Sequence, residues 1–155
     1  MRDSVIMKKN FYEKFVDKIK QKYPKKSFGY FLANEGCDNP MDFYIFDKDM
    51  RNDMKEEFEK YGEYYKIHED AGFLASDEEV VKFHKDLLNK RLHVVGVFHS
   101  HQRHPAIFST VDIDLHPSEE LWHLIISVRT LGSPQIKLFC HKNKVVQELH
   151  LILED

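Results

Sequence analysis

Apolar residues recur at helical spacing over residues 9–22. Phe11, Phe15 and Ile19 define one stripe, Tyr12 and Val16 flank it, and lysines fill the rest of the surface. That pattern predicts an amphipathic helix, with Pro24 marking its end. Residues 27–33 then form a short apolar run that reads as a strand, and residues 42–46 read as its hairpin partner. Between them, Glu35-Gly36-Cys37-Asp38-Asn39-Pro40 is rich in turn formers. Residues 48–62 are strongly charged and read either as a surface helix or as a mobile insertion, and residues 63–68 as a short strand.

Further along, Ser76-Asp77-Glu78-Glu79 is a capping box. Ser76 accepts from the amide at position 79, and Glu79 reaches back. The helix it opens carries Val80, Phe83, Leu87 and Leu88 on one face and runs to about Lys90. Residues 92–99 contain the apolar run Val94-Val95-Gly96-Val97-Phe98, which reads as a buried central strand. Residues 109–115 resemble a helix start with Ser109 as N-cap. Residues 122–128, 135–141 and 145–153 read as three closing strands. This order predicts an α+β domain spanning 1–155, αβα layered, with a mixed sheet flanked by helices.

Composition narrows the partners. A formal net charge of −3 leaves no broad basic footprint, since the lysines between Lys8 and Lys26 are diluted by Glu13 and Asp17. Nucleic acid is therefore not expected as the main partner. The apolar runs are too short to span a bilayer, and no apolar leader precedes the first helix, so the expected location is cytoplasmic. The two cysteines, Cys37 and Cys140, show neither metal-knuckle nor redox spacing and read as reduced thiols. A compact domain with charged helices is compatible with a homodimer.

The candidate chemistry lies just after the central strand. His99-Ser100-His101 is followed by Ser109 and Asp112. On a strand, residues i and i+2 share a face, so His99 and His101 can reach one ion. Asp112 would be the third protein ligand and leave one tetrahedral position open, the arrangement of a catalytic zinc. Ser100 points to the opposite face and reads as a structural hydrogen-bonding group. His104, in the loop between the two halves, reads as solvated, and His116, His123, His141 and His150 carry no ligand spacing. Asp114 reads as solvent-facing.

These residues resemble the JAMM (MPN-plus) family of zinc metalloproteases, in its compact prokaryotic single-domain form. The resemblance covers residues 8–153 and includes Tyr23-Pro24, the strand Phe28-Gly29-Tyr30-Phe31-Leu32, and all five positions His99, Ser100, His101, Ser109 and Asp112. It implies a curved mixed sheet of the cytidine-deaminase-like MPN type and a Zn²⁺ cofactor. It implies a metallopeptidase or isopeptidase that cuts after the C-terminal Gly-Gly tail of a ubiquitin-like or sulfur-carrier protein by zinc-activated water. In that scheme Ser109 stabilises the oxyanion, and the extended tail pairs with a strand edge beside the site.

One position departs from the family. Where related chains read Tyr-Pro-Glu-Glu-x-Cys-Gly, this one reads Tyr23-Pro24-Lys25-Lys26-Ser27-Phe28-Gly29. Lys26 therefore occupies the position of the general-base glutamate. An ammonium beside Zn²⁺ is repelled, so Lys26 either swings away or loses its proton. A neutral amine there would serve as base or fill the open zinc position. Glu35, Glu63 and Glu69 are the candidate carboxylates to replace the glutamate. The alternative is a zinc-loaded but catalytically weak binding or scaffold module for a ubiquitin-like partner.

Overall fold

The computed structural model describes residues 3–46, 77–108 and 118–155. Its elements are β1 (Ser4–Lys8), α1 (Lys9–Lys22), β2 (Phe28–Asn34), β3 (Asp42–Ile45), α2 (Asp77–Lys90), β4 (Leu92–His101), β5 (Trp122–Ser127), β6 (Gln135–Lys142) and β7 (Val145–Glu154). Seven strands form one mixed sheet in the order β1-β7-β6-β5-β4-β2-β3. The β1/β7 and β4/β5 pairs are parallel and the others antiparallel. The expected α+β architecture holds. Two expected features, the segment 48–68 and the helix start at 109–115, lie outside the described residues, as does Ser76 of the capping box.

The two helices cover opposite faces. Along β2, Phe31 and Ala33 belong to the apolar cluster under α1, whereas Phe28 and Leu32 belong to the cluster under α2. Alternate residues of a strand point to opposite faces, so the helices sandwich the sheet. The predicted stripe of α1 is the buried one: Phe15 and Ile19 are enclosed, and Phe11, Tyr12 and Val16 pack at its margin. Phe15, Phe31 and Phe98 meet with ring centroids 4.9 to 5.1 Å apart. Each such ring contributes about 1.5–3 kcal/mol through burial. On the other face, Phe83 and Leu87 of α2 close over Phe28, Leu32 and Phe46. Tyr44 donates its hydroxyl to Glu79 at the first turn of α2, at 3.1 Å.

Gly29 marks a close approach in this sheet. A side-chain carbon there would overlap the backbone carbonyl of Tyr44 on β3 and press on the Phe98 ring. Glycine at this position lets β3 lie against β2. No described helix is long and apolar enough to cross a membrane.

α2 covers only the β3-β2-β4 part of its face. The β4-β5-β6 part carries His99, His101, His123, Phe139 and His141 and is crossed by residues 102–108 after β4. The sheet thus presents the C-terminal end of β4 beneath a loop.

Candidate metal centre

β4 extends two residues further than its apolar run predicts, so His99, Ser100 and His101 are part of the strand. All three are buried, with His99 fully enclosed. The alternation then acts as expected. Ser100 turns away from the histidines, and its hydroxyl accepts a hydrogen bond from the Ser27 amide at 2.8 Å. The Ser100 amide donates in return to the Ser27 carbonyl at 2.8 Å. This reciprocal pair continues the β2/β4 ladder past Phe28↔His99. Lys26, half-buried, precedes Ser27 at the same end of the sheet.

His99 and His101 converge. Their Nε2 atoms are 2.8 Å apart. Two nitrogens bound tetrahedrally to zinc at about 2.0–2.1 Å would be separated by about 3.3 Å, so a small rotation of either ring admits the ion. The outer nitrogens are also engaged. His101 Nδ1 is 2.8 Å from the Pro105 carbonyl oxygen. A carbonyl only accepts, so Nδ1 carries the proton, and the neutral ring presents a bare Nε2. His99 Nδ1 is 2.7 Å from His123 Nε2. Ligating histidines commonly hold the outer nitrogen this way. The Pro105 carbonyl fixes the tautomer of His101, whereas the imidazole partner of His99 fixes its ring orientation and allows either tautomer. The donor pair therefore fits zinc.

The loop after β4 is fastened to the neighbouring strands. Val128 donates its amide to the His101 carbonyl at 2.8 Å. Ser127 donates its hydroxyl to the His104 carbonyl at 2.5 Å. The Ala106 amide donates to Gln135 Oε1 at 3.0 Å. These bonds fix Pro105, and through it the ring of His101. Phe108 then packs edge-on against His123 at 5.1 Å and lies beside Phe139 and His141.

Of the predicted site residues, the described structure brings together His99 and His101 and sets Lys26 at the same end of the sheet. Ser109 and Asp112 lie outside the described residues, as do Glu63, Glu69, Asp114 and His116. Among the described residues no group of three or more His, Cys, Asp or Glu side chains is arranged to hold an ion. Glu35 is removed from the candidates to replace the glutamate. It follows Asn34, whose partner on β4 is Leu92, while Phe28 pairs with His99. At about 3.3 Å per residue, Glu35 is roughly 20 Å from the histidine pair. His104 is half-buried rather than fully solvated.

His123 is the functional neighbour that sequence spacing missed. It sits on β5 opposite Val97, and so reaches His99 diagonally across the parallel pair. The available signal was a histidine on the first of the three closing strands, but neither its pairing with β4 nor the register between the two strands was legible.

The fold has clear relatives. A protein from Desulfitobacterium hafniense is 22% identical, with a TM-score of 0.70, over 98% of this chain and 94% of that one. A protein from Salinibacter ruber is 18% identical, with a TM-score of 0.61, over 100% of this chain and 92% of that one. A JAB1/MPN domain protein from Archaeoglobus fulgidus is 12% identical, with a TM-score of 0.53, over 96% and 98% of the two chains. Comparison with curated proteins gives no match. The family described as prokaryotic homologs of the JAB domain matches residues 8–139, which carry both histidines and strands β2 to β5 with most of β6, and the chain belongs to that family.

Proposed function

We propose that this chain is a zinc-dependent metallopeptidase of the isopeptidase type. Its substrate is a peptide or isopeptide bond that follows the C-terminal Gly-Gly tail of a ubiquitin-like or sulfur-carrier protein. The observation that carries this reading is the buried His99/His101 pair, with converging Nε2 atoms and both Nδ1 atoms engaged. His99, His101 and Asp112 would hold the ion. What zinc supplies when bound is polarisation of the scissile carbonyl and acidification of the attacking water. Ser109 donates its hydroxyl to the oxyanion as the carbonyl becomes tetrahedral. β4 has β2 and β5 on its two sides, so a Gly-Gly tail that binds as a strand uses another edge.

Lys26 favours a second reading, a zinc-loaded module that binds a ubiquitin-like tail and cuts it slowly. A glutamate at this position would carry a proton from the water to the leaving amine, a service worth about 10²–10⁴ in rate. As an ammonium, Lys26 has no lone pair with which to take up a proton. As a neutral amine it accepts one, and the site then works with a different base.

The test is cleavage of a ubiquitin-like protein extended beyond its Gly-Gly, with and without a chelator. Chelator-sensitive cleavage restored by zinc supports the peptidase. Tight binding of the tail with no cleavage supports the module, and neither binding nor cleavage counts against both.

A further inference from the structure

His123 carries an inference of its own, which rests on the zinc reading of His99 and His101. It is 3% exposed, lies on a different strand from His99 and His101, and approaches His99 more closely than any ordinary packing contact requires. Its ring is perpendicular to that of His99, with centroids 4.8 Å apart, so its Nε2 is directed at the edge of His99 that carries Nδ1. Phe108 closes on it edge-on at 5.1 Å and shields the contact from water.

We propose that His123 is a positioning residue for the metal centre: its Nε2 accepts the Nδ1 proton of His99 and thereby presents His99 Nε2 bare toward the ion. The chemistry follows from the tautomers. A neutral imidazole has one N–H and one lone pair. If His99 is to ligate through Nε2, its proton resides on Nδ1, and the group 2.7 Å away that can accept it is His123 Nε2, whose own proton then sits on the buried Nδ1. His101 has the same service from a backbone carbonyl, Pro105. The two ligands are thus oriented by different means, one by main chain and one by a replaceable side chain. Only the second is open to mutation without altering the backbone.

The test measures zinc affinity by competition with a chromophoric chelator for the parent chain and for His123→Phe, His123→Gln and His123→Asn. Outer partners of metal-bound histidines are worth about 10–100-fold in affinity. His123→Phe keeps the ring and loses the acceptor, and should weaken zinc by that factor. Gln carries its amide out to about the position of Nε2 and should restore most of it; Asn falls short and should not. In the zinc-loaded parent, nitrogen-edited NMR should show a slowly exchanging Nδ1 proton on His99, retained in His123→Gln and lost in His123→Phe. If His123→Phe fails to fold, the Gln/Asn contrast decides the matter. Equal zinc affinity in all folded variants, with one zinc in the parent, overturns the positioning role and leaves the zinc reading intact. No zinc in the parent overturns both.

Discussion

The Ser100 hydroxyl accepts a hydrogen bond from the Ser27 amide at 2.8 Å, and both residues are buried. That bond joins the strand that carries the histidines to the segment that carries Lys26. Ser100→Ala keeps the shape of the site and leaves a buried N–H without its acceptor. The expected cost is about 1–3 kcal/mol. Denaturant unfolding of the variant should show a lower midpoint with an unchanged slope; an unchanged midpoint would mean that water replaces the hydroxyl.

Gly96 lies flat against Trp122. A side-chain carbon at position 96 would stand 2.6 Å from the indole ring. Trp122 is buried and packs on Phe31 at 5.0 Å, so it has little room to withdraw. Gly96→Ala should therefore destabilise the fold by about 1–3 kcal/mol through overpacking. Thermal unfolding checks this, and a stability equal to the parent would show that β4 and β5 can move apart at low cost.

Lys26→Glu supplies the carboxylate that related chains hold at this position. Under the peptidase reading, cleavage of a Gly-Gly conjugate should rise by about 10²–10⁴-fold, with little change in KM. The same variant should bind zinc at least as tightly, because it replaces a cation with an anion beside the ion. A rate that stays at the parent level would locate the proton transfer at another residue.

Burial raises the Tyr30 phenol above its ordinary value of 10.0. The ring packs against Phe46 and Phe83 at 5.1 Å each. The folded chain retains this proton at a pH where the unfolded chain begins to release it. The native state then binds more protons, so stability falls as pH rises. The contribution is complete below pH 10 and is lost as pH climbs through the folded value. Tyr30→Phe should move the midpoint of alkaline unfolding upward, as followed by circular dichroism; an unmoved midpoint would assign the alkaline limit to other groups.

The elements that the spacing of their own apolar residues marks out were legible. The α1 stripe, the strands from β2 to β7 and the helix ending at Lys90 follow from the period of their apolar residues. β1 was not anticipated, because Ser4–Lys8 is short and its partner β7 lies at the opposite end of the chain. Nothing near residue 5 announces that Val5 will face Leu151. The same limit applies at the site. His99 and His101 were legible because two-residue spacing on a strand fixes a shared face. His123 was not, because its approach to His99 depends on the register between two parallel strands joined by a long crossover. Glu35 looked near the site as long as the direction of β2 against β4 was unknown; the antiparallel register moves it to the far end. The departure at Lys26 was visible only against the family pattern, since a lysine ahead of a strand is otherwise unremarkable.

The central claim is that His99 and His101 are metal ligands. The most direct measurement is the zinc content of the purified chain beside His99→Ala and His101→Ala, read by native mass spectrometry. About one zinc per chain in the parent, lost in both variants while their circular dichroism remains that of a folded protein, is the predicted result. A folded parent that takes up no zinc from a zinc-supplemented buffer would contradict the account, and the histidine pair would then be a hydrogen-bonded element of the core.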